Sequence, residues 1–349
     1  MKPSLISTLG LPALFCLELT NTCHASSLKY HYGGVMTKVN FEASVQYGEF
    51  NNTLSSNDIN GKTHIDASGR LTSEFTTQSG WLVGLRLEYD TGDHAAEELQ
   101  RDEVYGYVAN QYGRVEFGEQ DGPADSLAYH APIIGLGQIR GEFARYSGSQ
   151  ARLSPYDSGD ALKLIYLSAP NNGLRYGISW APRFERHIEE PLPRDRTIQD
   201  DAVEFGIQYK QPLNNWIAGL SASYVTANAL PSTEKEDIES WSVGTQWRRN
   251  HFIFGAAYVD RGNSNRRKTG FRQHEINGGI TWQHYDYGFS FSTAKTKATS
   301  QTNTLMGLGM YYEIVGGIYL SVDVVHNRKY RETSNEENYV FVTEIKFKI

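Results

Sequence analysis

The stretch that decides the fold is YVFVTEIKFKI, residues 339–349. Alternate side chains of a β-strand point to opposite faces, so this alternation predicts a strand with one apolar face and one mostly charged face. The apolar face holds Tyr339, Phe341, Ile345, Phe347 and Ile349, with Thr343 as its polar member. The opposite face holds Val340, Val342, Glu344, Lys346 and Lys348.

The same alternation recurs along the chain and predicts sixteen strands. They are expected at about 37–50, 63–77, 81–90, 101–110, 114–121, 161–169, 174–182, 201–210, 216–226, 238–248, 251–260, 272–283, 286–295, 304–313, 317–326 and 339–349.

The connections between these strands fall into two classes. Short turns such as QSG (78–80) alternate with long polar segments such as residues 182–199, and Trp and Tyr cluster near the strand ends. An even number of strands, short turns at one rim and long loops at the other are typical of a closed antiparallel transmembrane β-barrel. A soluble β-sandwich could share the composition, but it has no need of aromatic rings at two interfaces. Since lipid leaves no backbone group unpaired, we expect the last strand to pair with the first.

The N-terminal segment predicts export. Lys2 precedes an apolar run at residues 9–17, shorter than the roughly 20 residues of a spanning helix. Small residues at Cys23 to Ala25 resemble a secretory cleavage site. The interpretation is a signal peptide at 1–25 followed by a single barrel domain at 26–349; the alternative is a buried N-terminal helix. Cys16 and Cys23 both lie in the first segment, so the barrel would contain no cysteine.

The overall charge excludes one class of partner. The formal net charge is −7 at pH 7, which argues against a nucleic-acid-binding surface. As an outer-membrane barrel, the chain is expected to contact outer-membrane lipid and lipopolysaccharide, and its lumen would admit ions and small hydrophilic solutes.

Three segments resemble a known family. RDEVYGYVANQYGRVEFGEQDGP (101–123), SGRLTSEFTTQSGWLVGLRLEYDTG (68–92) and IYLSAPNNGLRYGISWAP (165–182) are similar to strand–turn–strand units of the general porins of Gram-negative outer membranes. The resemblance implies a sixteen-stranded barrel, usually a homotrimer, that admits solutes by passive diffusion and whose third loop folds inward.

The lumen is the expected functional region. Sixteen strands enclose a space too wide for side chains to fill, so water occupies it. The longest connection, residues 122–160, stands where the resemblance places the constriction loop; the alternative is a surface loop. In the family, basic residues on one wall face acids on the inward loop. Carried over here, the pore constriction would comprise Lys38, Arg70, Arg86, Arg114, Asp121, Asp125 and Glu142, although any of them could simply solvate the interior.

The sequence carries only isolated fragments of enzyme motifs, SSLK (26–29) and KTG (268–270), with no SDN between them. It contains no HExxH, no GxSxG and no glycine-rich phosphate loop, so we predict no catalytic residue, no metal and no cofactor. The alternative function is a barrel-embedded outer-membrane hydrolase (lipase or protease), with an active site at the loop rim near His94 or His187.

Overall fold

The computed structural model describes most of the chain. The described residues are 27–52, 60–91, 100–136, 139, 146, 151, 153–186, 197–230, 235–264, 272–331 and 334–349. The predicted signal peptide, His94, His187 and Glu142 lie outside them.

Within the described residues the chain forms seventeen strands and one short helix. The strands are β1 (Leu28–Tyr32), β2 (Val35–Asn52), β3 (Asn60–Thr76), β4 (Leu82–Asp90), β5 (Gln100–Asn110), β6 (Gly113–Glu119), β7 (Leu162–Ser168), β8 (Leu174–Arg186), β9 (Thr197–Leu213), β10 (Trp216–Ala229), β11 (Ile238–Arg249), β12 (Phe252–Gly262), β13 (Gln273–His284), β14 (Tyr287–Ala298), β15 (Gln301–Val315), β16 (Ile318–Arg331) and β17 (Asn335–Lys348). The helix is α1 (Pro123–Ser126).

Strands β2 to β17 form a closed antiparallel ring of sixteen. Each pairs with its neighbours in the chain, and β17 closes the ring by pairing with β2 from Asn338↔Asn52 to Lys348↔Glu42. The amide of Ile349 donates to the carbonyl of Phe41 at 2.9 Å, and the reverse bond measures 3.1 Å. The expected pairing of the last predicted strand with the first is confirmed, and so is the all-β closed barrel.

The strand β1 was not predicted from the sequence. It pairs with β2 from Leu28↔Val39 to Tyr32↔Val35, just beyond the point where β17 stops. All five of its side chains are exposed, so its two faces do not differ in burial. A strand of five residues without that contrast carries no periodic signal, which is why the pattern missed it.

The two faces of the ring follow the predicted parity. Along β14, Phe289 and Phe291 are exposed on the outer face, whereas Ser290 and Ser292 are buried on the inner face. An apolar outer face and a polar inner face are the arrangement that a lipid-embedded barrel requires. Within the described residues, no helix combines the length and the apolar character needed to cross a bilayer.

All sixteen predicted strands are present, but many extend further than the pattern indicated. The strand predicted at 317–326 runs to Arg331, and that predicted at 201–210 spans Thr197–Leu213. The additional residues lie mostly at the ends that carry the long loops, where the side chains are polar on both faces and alternation disappears.

Candidate functional site: the inward loop and the bare wall

The described parts of residues 122–160, here called the loop, lie against the inner faces of the strands. The amide of Tyr129 donates to Ser221 Oγ at 2.8 Å, that of Ala131 to Asn277 Oδ1 at 2.9 Å, and that of Leu136 to Asp323 Oδ2 at 3.0 Å. Those three acceptors stand on β10, β13 and β16. The outgoing part of the loop therefore crosses the inner surface from strand to strand.

The returning part of the loop follows the same wall. The hydroxyl of Tyr146 contacts Gln46 Oε1 on β2 at 3.3 Å, and the amide of Ala151 bonds to the carbonyl of Ile139 at 2.7 Å. Further on, the amide of Tyr156 donates to Ser240 Oγ on β11 at 2.9 Å. The loop thus covers the inner faces from β8 round to β17 and touches β2.

Glycines on the inner face let the loop backbone approach closely. A methyl group built on Gly244 would lie 1.9 Å from the carbonyl oxygen of Tyr129, and one on Gly255 would lie 2.4 Å from that of His130. At Gly206 it would lie 2.1 Å from the carbonyl oxygen of Pro123. Any side chain at these positions would displace the loop, so the sequence reserves glycine for them.

Apolar side chains on the inner face mark the area beneath the loop. Val340 and Val342 are fully buried in a cluster with Leu136, Ile139 and Tyr146 of the loop. Their presence on the otherwise charged face of the 339–349 strand is explained by this cover, because they face protein and not water.

A buried carboxylate binds the returning end of the loop and packs closely against its outgoing end. Oε1 of Glu204, on β9, accepts the amide of Ser158 at 2.9 Å and also its hydroxyl, while Oε2 lies so close to Gly122 that a methyl group there would be 1.8 Å away. Lys163 Nζ lies 3.5 Å from Oε1 and donates to the carbonyl of Gly159 at 2.6 Å. The side chains of Glu204 and Lys163 are both fully buried. We call this arrangement the loop clamp.

The inner faces of β3 to β6 carry the predicted arginines, and the loop contacts described above lie on other strands. We call this surface the bare wall. Arg70 binds Glu88 in bidentate fashion through two bonds of 2.6 Å. Arg86 reaches Glu88 at 2.7 Å and Glu103 at 2.8 Å. The result is a continuous ladder of alternating charge, Arg70–Glu88–Arg86–Glu103.

The ladder continues through aromatic rings to the third arginine. Arg114 pairs with Glu116 and lies over the ring of Tyr107, with its guanidinium carbon 4.5 Å from the centroid. Tyr105 lies between Arg86 and Arg114, at 5.8 and 5.9 Å from their guanidinium carbons. Stacked guanidinium groups keep their charge and lose mobility, so this wall is held in one arrangement.

The fourth predicted base lies one strand away from the ladder. Lys38 on β2 is opposite Thr72, and Thr72 is opposite Arg86. The lysine therefore stands in the same row across the strands as Arg86, on the inner parity that the sequence predicted.

The predicted loop acids lie at the root of the loop. Asp125 is in the first turn of α1, and Asp121 precedes that helix. The carboxylates of Glu103, Asp121 and Asp160 each place one oxygen within 4.8 Å of the other two. The charge ladder therefore ends beside the loop root.

Crowding changes the acidity of these aspartates. Asp121 and Asp160 are both exposed to water, yet enough protein lies around each carboxylate to desolvate it in part. This desolvation, with the nearby charges of Asp125, Asp160 and Asp157, raises the pKa of Asp121 to about 8. Desolvation and the charges of Asp102 and Glu103 raise the pKa of Asp160 to about 7. Lys163 opposes both shifts.

The structure thus brings Arg70, Arg86 and Arg114 to one wall, but their ion-pair partners were not predicted. Within the described residues the partners are Glu88, Glu103 and Glu116, on the same strands or the next. The clamp residues Glu204 and Lys163 were also missed. One signal could have suggested Lys163: it is a charge on the inner parity of a strand that otherwise places Ile165 and Leu167 there.

The loop clamp gives a stability prediction. Glu204→Ala removes the acceptor of Ser158 and one carboxylate beside the buried Lys163, which should cost about 3–5 kcal/mol of unfolding free energy. It should also release the returning end of the loop and expose that end to added protease. Urea unfolding and limited proteolysis of the purified protein measure the two effects.

The matched control removes both charges at once. The double variant Glu204→Leu, Lys163→Met replaces the pair with apolar side chains and should recover much of the lost free energy. If Glu204→Ala costs no more than about 1 kcal/mol, as an exposed ion pair would, the clamp assignment is wrong.

The fold has counterparts among solved structures. Salmonella typhi OmpF, solved in complex with daunomycin, matches with a TM-score of 0.65 and 13% identity over 92% of this chain and 100% of that chain. The outer-membrane channel DcaP of Acinetobacter baumannii matches with a TM-score of 0.62 and 12% identity over 90% of this chain and 98% of that chain. A loop-deletion variant of OmpT, an outer-membrane protein of Vibrio cholerae, matches with a TM-score of 0.59 and 12% identity over 89% of this chain and 99% of that chain. At these identities the similarity establishes the fold.

Sequence comparison supplies the family. No curated protein sequence matches the chain. A family model described as Gram-negative porin matches residues 22–331, which is most of the sequence. The chain therefore belongs to the Gram-negative porin family.

Proposed function

We propose that solutes pass between the loop and the bare wall, and that this passage sets the size and charge preference of the channel. The observation that carries the proposal is the asymmetry of the lumen. Among the described residues, the loop contacts the inner faces from β8 to β17 and touches β2, whereas β3 to β6 present the arginine ladder.

Family membership sets the general activity. The protein is a porin of the outer membrane of a Gram-negative bacterium, a channel for passive diffusion of ions and small hydrophilic solutes. The family and fold are those of a channel, and we propose that the protein has no catalytic activity. We also propose that residues 1–25 are its signal peptide and that the outer face contacts outer-membrane lipid and lipopolysaccharide.

The ladder is suited to a constriction. Arg70 and Arg86 are partly exposed, at 42% and 25% of their side-chain surface, whereas their common partner Glu88 is only 12% exposed. Guanidinium groups therefore present themselves to the passage while the carboxylate stands behind them. In a narrow lumen with low-dielectric walls, such charges act strongly on a passing ion.

Replacing both arginines tests this assignment. Arg70→Ser with Arg86→Ser should enlarge the passage and leave Glu88 and Glu103 without their partners, so the negative potential near the wall should rise. We expect higher single-channel conductance and a reversal potential shifted toward cation preference. The measurement is planar-bilayer recording in a salt gradient.

A charge-preserving variant serves as the control. Arg70→Lys with Arg86→Lys should keep the reversal potential close to that of the unsubstituted protein. If the serine variant changes neither conductance nor reversal potential, these arginines only solvate the lumen. If the folded, inserted protein conducts no ions at all, the proposed passage is wrong.

The aspartates at the loop root predict a pH dependence. A carboxyl group is neutral at a pH below its pKa and charged above it. Because the pKa of Asp160 is about 7 and that of Asp121 is about 8, raising the pH from 6 to 9 should charge first Asp160 and then Asp121. We expect the cation-to-anion permeability ratio to rise over this interval. Asp121→Asn should remove the upper step and leave the lower one. A ratio that stays constant between pH 6 and 9 would show that these groups do not face the passage.

We propose that the protein assembles as a homotrimer through the outer faces of β2 and β3. Ala43 and Ala67 are opposite each other in the register, and open space surrounds Gly69 beside them. Exposed apolar side chains such as Phe41 and Ile65 flank these small residues. Small residues allow two barrels to approach closely, and the surrounding apolar surface supplies contact area.

A bulky substitution tests that face. Ala67→Trp should lower the trimer fraction, measured by native mass spectrometry in mild detergent and by crosslinking in membranes. Ala256→Trp, on the outer face of β12, is the matched control and should leave the assembly unchanged. Monomers in the unsubstituted protein by both methods would contradict the proposal.

A further inference from the structure

A pair of histidines lies at the rim formed by the short turns. His251 is in the turn between β11 and β12, and His284 is the last residue of β13. The amide of Gln283 donates to the carbonyl of His251 at 2.9 Å, which holds this turn against the end of β13. Short turns stand at the periplasmic side of such barrels, so the pair faces the periplasm.

The separation of the two rings fits chelation of one ion. Their centroids are 5.0 Å apart and their planes are inclined by 55°. Two imidazoles that share one ion at a metal–nitrogen distance of about 2.1 Å place their centroids roughly 4.5–5.5 Å apart, for bond angles between square-planar and tetrahedral. The pair already has this spacing in the fold.

Within the described part of the chain, one imidazole nitrogen of His284 is left without a hydrogen-bond partner. Among the described residues, Nδ1 of His284 is buried and has no hydrogen-bond partner. Trp282 stacks on His284 at 5.9 Å with an interplanar angle of 7°, and the ring of Tyr285 meets it edge-on at 4.5 Å. These aromatic rings fix the orientation of His284 without engaging that nitrogen.

We propose that His251 and His284 form a binding site for a divalent transition-metal ion at the periplasmic rim. Neutral imidazole is a ligand for Zn²⁺, Cu²⁺ and Ni²⁺, and a pair without carboxylates does not favour Ca²⁺ or Mg²⁺. Water would complete the coordination. The site lies on the outer surface of the barrel and is independent of the passage through the lumen.

Copper is the probe that reports both binding and ligands. Cu²⁺ binds nitrogen sites more tightly than Zn²⁺ or Ni²⁺, and it quenches the fluorescence of a nearby indole. Trp282 lies 6.2 Å from His251 and 5.9 Å from His284, measured between ring centroids. Titration of the full-length, tag-free protein with Cu²⁺ should quench part of the Trp emission at one equivalent, and electron paramagnetic resonance should show two coupled nitrogens.

Single substitutions identify the ligands. His251→Ala and His284→Ala should each weaken Cu²⁺ binding by more than about 10-fold, since even an outer partner of a metal ligand is worth roughly 10–100-fold. His274→Ala is the matched control. His274 also lies on β13 and stacks on an aromatic ring, Tyr258 at 6.0 Å, and its substitution should leave binding unchanged.

Two results would overturn the proposal. One is an electron paramagnetic resonance spectrum of the unsubstituted protein that shows a single coupled nitrogen. This measurement does not depend on the folding of any variant. The other is Cu²⁺ affinity that survives both His251→Ala and His284→Ala. Either would mean that these residues are only part of the aromatic belt at the membrane interface.

Discussion

The structure depends on one constraint, which is that no backbone group of a lipid-embedded strand can remain without a hydrogen-bond partner. Inside hydrocarbon each unpaired group costs several kcal/mol, so a sheet must close on itself. The ring meets this demand when β17 pairs with β2, and Ile349 exchanges its last two bonds with Phe41. Closure fixes the register of every strand, and the register decides which side chains meet lipid and which face the lumen.

The same requirement governs the loop inside the ring. A long segment that leaves the water and lies on a wall must satisfy its own amides, and here the wall supplies the acceptors. Ser221, Asn277, Asp323 and Glu204 each accept a hydrogen bond from a loop amide. These inner polar residues therefore act as supports for the loop. Glycines between them remove the side chains that would hold the backbone away.

The sequence predicted the ring well because its signal is simple. Side-chain period and turn length together specify sixteen strands, and both are visible without tertiary information. The residues that the loop covers were harder to predict from the sequence. Val340 and Val342 look out of place on a charged strand until Leu136 and Tyr146 are seen above them. Pairing across the sheet also escaped prediction, because the partner of Arg86 depends on the register between strands, and alternation alone does not give that register.

The arginines illustrate why a list of residues is not yet a picture of a site. Arg70, Arg86 and Arg114 stand on one wall, as the resemblance implied, but each is neutralised by a carboxylate on that wall. An ion pair has no net charge, and its field decays faster with distance than that of a single ion. Local dipoles therefore dominate along the bare wall, where a solute must come close to feel them. The carboxylates at the loop root are different, because Glu103, Asp121 and Asp160 crowd together and Arg86 and Lys163 offset only part of their negative charge. Protons relieve that crowding, so the charge facing the passage near the loop root varies with pH, whereas the charge of the arginine ladder does not.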